Sequence, residues 1–159
     1  MSIATKEYLT FLLDQEEYGV DILDVREVRG WTDVRRIPNT EAYLLGVLDL
    51  RGEYVPIIDL KQRFGMGPAE LKATTVVIVL HCADHGSLGI IVDAVSEVYQ
   101  LSQTEIKTTP QLGSNVEHRF IEGIASVNNC HVVLIKIEQL FDFSVLHKMI
   151  ESNVSEEEF

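Results

Sequence analysis

The stretch GVLDLRGEYVPIIDLKQRFG, residues 46–65, decides how this chain is read. Two short runs rich in β-branched and aromatic residues, GVLDL and YVPII, flank Arg51 and Gly52, the pattern of a β-hairpin with its tip at that pair. Pro56 has no N–H to give a ladder, so within YVPII it marks an edge strand or a bulge. Asp59 caps a short helical turn through Phe64 that stops at Gly65.

A second version of the same pattern lies downstream. FIEGIASVNNCHVVLIKIEQLF, residues 120–141, falls over YLLGVLDLRGEYVPIIDLKQRF, residues 43–64, and matches Gly46 with Gly123, Val55 with Val132, Ile58 with Ile135 and Phe64 with Phe141. Upstream, LGIIVDAVSEV (88–98) falls over YGVDILDVREV (18–28), matching Gly19, Val25, Glu27 and Val28 with Gly89, Val95, Glu97 and Val98. Two blocks repeated in the same order indicate a duplicated unit. In the second copy the residues over Arg51 and Gly52 are Asn128 and Asn129. Asparagine tolerates the positive φ that a tight turn demands, and arginine offers the turn nothing comparable. Two readings of Arg51 stand: a guanidinium placed for what its five donors can reach, or an exposed strand end in a longer turn.

Working outward, each half carries five strand-like runs: KEYLTFLLD, YGVDI, VREVRG, GVLDL and YVPII, then TTVVIVLHC, SLGIIV, AVSEVYQL, GIASV and HVVLIKI. Turn residues such as Gln15-Glu16-Glu17 and Gly52 separate them, and long helical patterns are few, which indicates sandwich or barrel packing. Thr40 is positioned to cap a turn from Glu41 to Leu45, and Ser102 to Glu105 reads as a capping box. Gly65-Met66-Gly67-Pro68 reads as a linker between halves. From Ile137 the apolar residues fall at helical spacing, so a C-terminal helix is expected over 137–151, with residues 152–159 as an acidic, solvated tail. The expected division is a single domain over 1–159, with barrels near 1–67 and 68–136.

The totals limit the function. The chain has 159 residues and a formal net charge of −12. Binding to nucleic acid begins with cations neutralising phosphates, so that charge argues against it, and anionic membrane is disfavoured likewise. No segment approaches the roughly 20 apolar residues that span a bilayer. Lys6 and Glu7 stand where a secretory signal needs its apolar core, so export is not expected. Residues 26–63 hold seven Lys/Arg against six Asp/Glu, so the remainder carries −13; this locally balanced surface is a candidate contact face, or ordinary variation. Cys82 and Cys130 lack any Cys-x-x-Cys spacing and read as buried free thiols. His81 and His85 flank a turn and read as solvated loop. No nucleophile with a base, metal cluster or phosphate loop is recognisable, and Asp49 and Asp59 read as solvated carboxylates beside the hairpin. No catalytic residue, metal or cofactor is therefore expected. A ligand-binding enzyme remains the alternative, and thermal shift over a metabolite panel separates the two.

GVLDLRGEYVPIIDLKQRFG resembles the signature of the CheW family, the scaffold proteins that couple bacterial chemoreceptors to the histidine kinase CheA. The family motif is an asparagine-leucine-arginine-glycine hairpin followed by proline and isoleucine-aspartate-leucine, and Asp49 here replaces the asparagine. The likeness extends through EEYGVDILDVREVRGWTDVRRIPNTEAYLLG and TTVVIVLHCADHGSLGIIVDAVSEV, and is weakest from Gln111 to Phe120. The resemblance implies an all-β fold of two intertwined five-stranded SH3-like barrels around a shared hydrophobic core, and no catalysis. It implies as partners the regulatory domain of CheA, the cytoplasmic tip of the receptors and other CheW-like domains in rings. It also implies a cytoplasmic protein recruited beneath the inner membrane at receptor arrays, without membrane insertion. By position, Arg51 matches the arginine associated with receptor coupling, Val25 and Glu27 match a strand of the same region, and Ile22, Gly46, Val77 and Val92 fall on the receptor groove or its walls. Each of those last four also fits plain core. Contact with the kinase is expected around Val34, Arg36 and Ile37 and around Tyr43, Leu44 and Leu45.

Overall fold

The computed structural model describes residues 4–32, 34–36, 41–83, 85–107 and 117–144. The ten strand-like runs all form strands: β1 (Thr5–Leu13), β2 (Glu16–Asp21), β3 (Val25–Gly30), β4 (Leu44–Leu50), β5 (Glu53–Asp59), β6 (Val76–Cys82), β7 (Gly86–Val92), β8 (Ala94–Ser102), β10 (Ile121–Val127) and β11 (Cys130–Ile135). A two-residue strand, β9 (Ile106–Lys107), joins them. It is too short to show a period in the sequence.

These strands make two mixed sheets, consistent with two SH3-like barrels. One runs β8-β1-β2-β11-β10-β9 and the other β3-β6-β7-β5-β4. The sheets do not follow a division at residue 67. Each half of the chain lends strands to both, and the loans are reciprocal. The β4–β5 hairpin lies parallel to β7, with Ile57 opposite Gly89, while the β10–β11 hairpin lies parallel to β2, with Leu134 opposite Gly19. Ile57 and Leu134 are matched residues of the repeat, as are Gly89 and Gly19. The bulges repeat too: the register shifts between Leu44 and Gly46 in one hairpin and between Ile121 and Gly123 in the other. Even β9 has its counterpart, because Lys107 pairs with Ile124 as Arg35 bridges to Val47. The duplication read in the sequence is therefore present in the strand register.

Three apolar clusters follow from this exchange. Leu50, Val55, Ile57, Val77, Val79 and Ile91 fill the barrel of the β3-β6-β7-β5-β4 sheet, hereafter the second barrel; Tyr8, Leu101, Ala125, Val132 and Leu134 fill that of the other sheet, the first. The largest cluster, with Phe11, Tyr18, Ile58, Ile78, Leu88, Ile90 and Phe120 at its centre, takes the opposite faces of both sheets and welds the barrels together. Because strands are buried on both faces, Val77 to Leu80 is a continuous buried run. Full burial of such side chains contributes about 1.5–3 kcal/mol each before entropic costs.

Glycine matters where backbones meet. A Cβ on Gly46 would overlap the Arg35 carbonyl oxygen, whose bridge to Val47 (Val47 N–H to Arg35 O, 2.8 Å; Arg35 N–H to Val47 O, 3.0 Å) closes the edge of the second barrel.

Several local expectations are corrected. The first hairpin turns at Asp14-Gln15, with Glu16 and Glu17 already in β2. The Glu41 segment makes one turn, Leu44 N–H donating to Glu41 O at 3.0 Å, and Leu44 and Leu45 belong to β4. Pro56 lies in an inner strand, just before the three-residue parallel ladder of β5 with β7, so its missing N–H falls where that ladder has not begun. Asp59 is buried: its carboxylate caps α1 (Leu60–Arg63) by accepting from Gln62 N and ties down the following linker by accepting from Ala69 N at 2.7 Å. Cys82 is buried, which pushes its thiol up to about 11, but Cys130 is exposed because it leaves the Asn128-Asn129 tip. The capping box at Ser102 forms as read. Ile137–Gln139 is one 3₁₀ turn, and residues 145–159, with the rest of the expected helix and the tail, lie outside the described residues.

Candidate functional site

The β4–β5 tip is a two-residue turn in which Leu50 pairs with Glu53. Both central residues are left-handed, Arg51 at φ 53° and Gly52 at φ 89°. That geometry suits the twist of a hairpin, but for a side chain such as arginine it costs roughly 1–2 kcal/mol. Asn128 and Asn129, at φ 52° and 67°, make the matching turn in the other hairpin. Because the turn has only two residues, Arg51 is not a strand end in a longer turn, and its side chain is exposed. Asp49 accepts a hydrogen bond from Gly52 N at 2.9 Å. A carboxylate oxygen does there what an asparagine side-chain carbonyl does.

The other residues expected with Arg51 divide into two groups. Ile22 lies in a 3₁₀ turn (Ile22–Asp24), capped by Asp21 accepting from Leu23 N, and Val25 and Glu27 lie on β3, an outermost strand of its sheet; all three are half-buried. Beside them Asp24, partly desolvated and near Asp21 and Glu138, has its carboxyl held above the ordinary carboxylate range. Gly46, Val77 and Val92 form the second group and are interior. Gly46 sits under the Arg35 backbone, Val77 is 2% exposed in the second barrel, and Val92 is 2% exposed in the shared core. Their apolar character is that of packing residues, and no partner reaches them without opening a sheet.

Arg26, between Val25 and Glu27, was not singled out by the sequence. Its Nη1 donates to Glu53 Oε2 at 2.6 Å and to Ser87 Oγ at 2.7 Å. β3 is thereby fastened to the first residue after the tip. Leu23 is 84% exposed, and Val28 and Tyr54 are also exposed on the same elements.

On the second candidate surface, Val34, Arg36 and Leu45 line a cavity of ≈ 190 Å³ together with Trp31 and Leu71. Trp31 and Leu71 are additions; a lone tryptophan directly after a strand was the available signal. Tyr43 is half-buried with the Arg63 guanidinium 4.5 Å from its ring centroid, and Leu44 is buried in the shared core, so neither lines this cavity. Ile37 lies outside the described residues.

A larger cavity of ≈ 570 Å³ lies by Arg63, His85, Arg119 and Phe143. Arg63 is held by its own chain, donating to Leu140 O at 2.7 Å and to Gln139 O at 3.2 Å while sandwiched between Tyr43 and Phe120. His85 stacks on Phe143. Among the described residues, no group of three or more His, Cys, Asp or Glu is placed to hold a metal ion, and no helix is long and apolar enough to cross a membrane. What these surfaces offer is shape, apolar area and exposed cations, Arg51 among them.

Residues 7–144 match the family model described as the CheW-like domain. The chain is 40% identical over 136 residues to a protein of Rhizobium etli named a probable chemotaxis protein CheW, covering 86% of this chain and 87% of that one. It is 39% identical over 135 residues to chemotaxis protein CheW of Klebsiella aerogenes, covering 85% and 81%. The crystal structure of the scaffolding protein TtCheW from Thermoanaerobacter tengcongensis superposes with a TM-score of 0.80 at 34% identity, over 89% of this chain and 90% of that one.

Proposed function

The chain belongs to the CheW-like domain family and has its chemotaxis scaffold role, and from that premise we propose that it couples chemoreceptors to the histidine kinase CheA without catalysis of its own. One part of its surface receives the cytoplasmic tip of the receptor. The other binds the regulatory domain of CheA, and CheW-like domains meet in the same manner in array rings. The protein works in the cytoplasm, held beneath the inner membrane by its partners.

The observation that carries this reading is Arg51 itself. A solvent-facing arginine occupies a left-handed turn position where the other hairpin has asparagine. The strain is retained for what the guanidinium binds. The receptor side comprises Arg51 with Glu27, Val25 and Ile22, while Gly46, Val77 and Val92 support it from inside. The kinase side centres on the cavity of Val34, Arg36 and Leu45, with Trp31 and Leu71; Tyr43 and Leu44 directly precede Leu45 in the chain, and Ile37 belongs to the same sequence segment as Arg36. An amphipathic helix reads such a surface through anchors at helical spacing, and one rim cation sets its register. Contacts near roughly 800 Å² per partner are individually modest, and an array gains its hold through multivalency.

The test is calorimetric titration of the full chain against two partners from the same organism, the CheA regulatory domain and a receptor cytoplasmic tip, with Arg51→Glu alongside. Wild-type protein binds both, and Arg51→Glu loses the receptor tip while keeping the kinase domain. Binding of neither partner by the wild type would overturn the adaptor reading.

A further inference from the structure

The proposed receptor surface is built from two pieces far apart in sequence, β3 with Val25 and Glu27 and the hairpin tip with Arg51. Arg26 is the side chain that joins them. From β3 it reaches Glu53, two residues beyond Arg51, and Ser87 of β7, which is 4% exposed. The Arg26 and Glu53 side chains keep 33% and 41% exposure, so the pair is half-screened and weak as a source of stability. Its geometry is more informative. Ser87 gives the guanidinium a buried anchor in the sheet, and Glu53 receives the same Nη1, so the tip is tied to a fixed point.

The duplicated hairpin supplies an internal control. Under the repeat, Arg26, Glu53 and Ser87 correspond to Ser96, Cys130 and Glu17. Glu17 accepts instead from Thr10 Oγ1 at 2.8 Å. The charged tie and the tip arginine thus occur together at one of the two matched hairpins, and the other has neither. A tie needed only to close the barrel would be needed equally in both.

We propose that Arg26 is a positioning residue for receptor recognition, acting through Glu53 to fix the hairpin tip and Arg51 relative to Val25 and Glu27. This rests on the receptor-coupling reading of Arg51. The test titrates the same receptor tip and CheA regulatory domain with Arg26→Ala, Glu53→Ala, the single reversals Arg26→Glu and Glu53→Arg, the two reversals combined as a swapped pair, and Arg51→Glu, each with its Tm. Each alanine variant weakens receptor binding by up to about fivefold, the upper end for a half-exposed ion pair. CheA binding and Tm stay at wild-type values, and the swapped pair recovers receptor affinity relative to either single reversal. In 1 M salt, where the screening length is about 3 Å, the ratio between wild type and alanine variants shrinks. Unchanged receptor binding in the alanine variants, with Arg51→Glu defective, overturns the positioning role and leaves the coupling reading standing. Normal receptor binding by Arg51→Glu as well removes that reading and this inference with it. A parallel fall in Tm and in both affinities makes Arg26 a structural residue only and also overturns the proposal.

Discussion

Gly46→Ala and Gly123→Ala fall at matched positions of the two hairpins, and the structure assigns them unequal costs. At Gly46 the new methyl meets backbone: the Arg35 carbonyl oxygen and carbon, with Val34 Cγ2 beside them at 2.9 Å. Backbone cannot swing away, so the Arg35–Val47 bridge and its two hydrogen bonds are forced apart. Two net hydrogen bonds at about 0.5–1.5 kcal/mol each give a loss of about 1–3 kcal/mol. At Gly123 the nearest atom is Ile106 Cγ2, a side-chain carbon that can move, and the nearest backbone atom is Lys107 O at 3.2 Å. An off-rotamer isoleucine costs about 0.5–1.5 kcal/mol. For a chain of this size about 1 kcal/mol corresponds to about 2–4 °C in Tm. Calorimetric or circular-dichroism melts are therefore expected to show Gly46→Ala lower by about 2–12 °C and Gly123→Ala by about 1–6 °C, with Gly46→Ala the larger loss. Equal losses, or a stable Gly46→Ala that fails only in receptor binding, would refute the backbone-collision argument and return Gly46 to the binding surface.

Two further outcomes follow from the site and its surroundings. Asp49→Ala removes the acceptor for Gly52 N–H and is expected to cost about 0.5–1.5 kcal/mol in denaturant unfolding, while Asp49→Asn keeps an oxygen there and stays within about 0.5 kcal/mol of the parent; a large loss with asparagine would mean the charge itself matters. Half-buried Glu122 has its carboxyl raised, first by desolvation and then by Asp21 and Glu138, against the lowering pull of Lys6 and Lys136. A carboxylate whose folded pKa is raised favours folding below its unfolded value and loses that contribution as pH rises through the folded one. Glu122→Gln should therefore raise Tm at pH 7 and converge with the parent in acid below the ordinary glutamate range; a gap that widens in acid has the wrong sign.

Much of the architecture was legible because its signals are local. The ten long strands, the Asp59 cap and the Ser102 capping box depend on neighbours within a few residues, and the Arg51 tip stood out against its own duplicate. Face assignment was less legible. In VVIVL, residues 76–80, Val77 enters one barrel and Ile78 the shared core, so both faces are apolar and alternation carries no sign of which residue could meet a partner. The resemblance puts Val77 and Val92 on a groove wall or in plain core, and both are buried. The close approach of Gly46 to Arg35 was not legible, since Arg35 is held by a single bridge that leaves no periodic trace. Arg26 and Trp31 depend on contacts with Glu53, Ser87 and Leu71, which pattern alone does not connect.

The reciprocal loan of hairpins also sets the order of events on the ribosome. β1 and β2 are made first, yet β2 waits for β11, so Gly19 meets Leu134 only after 115 further residues are added. At about 5–20 residues per second that is roughly 6–23 s during which the β2 edge is unpaired. An apolar nascent hairpin ending at Val20, in a crowded cell, is open to pairing with another chain over that interval. Slowing elongation in the second half of the message should lower soluble yield more than the same delay placed before β1, with no change in the finished protein.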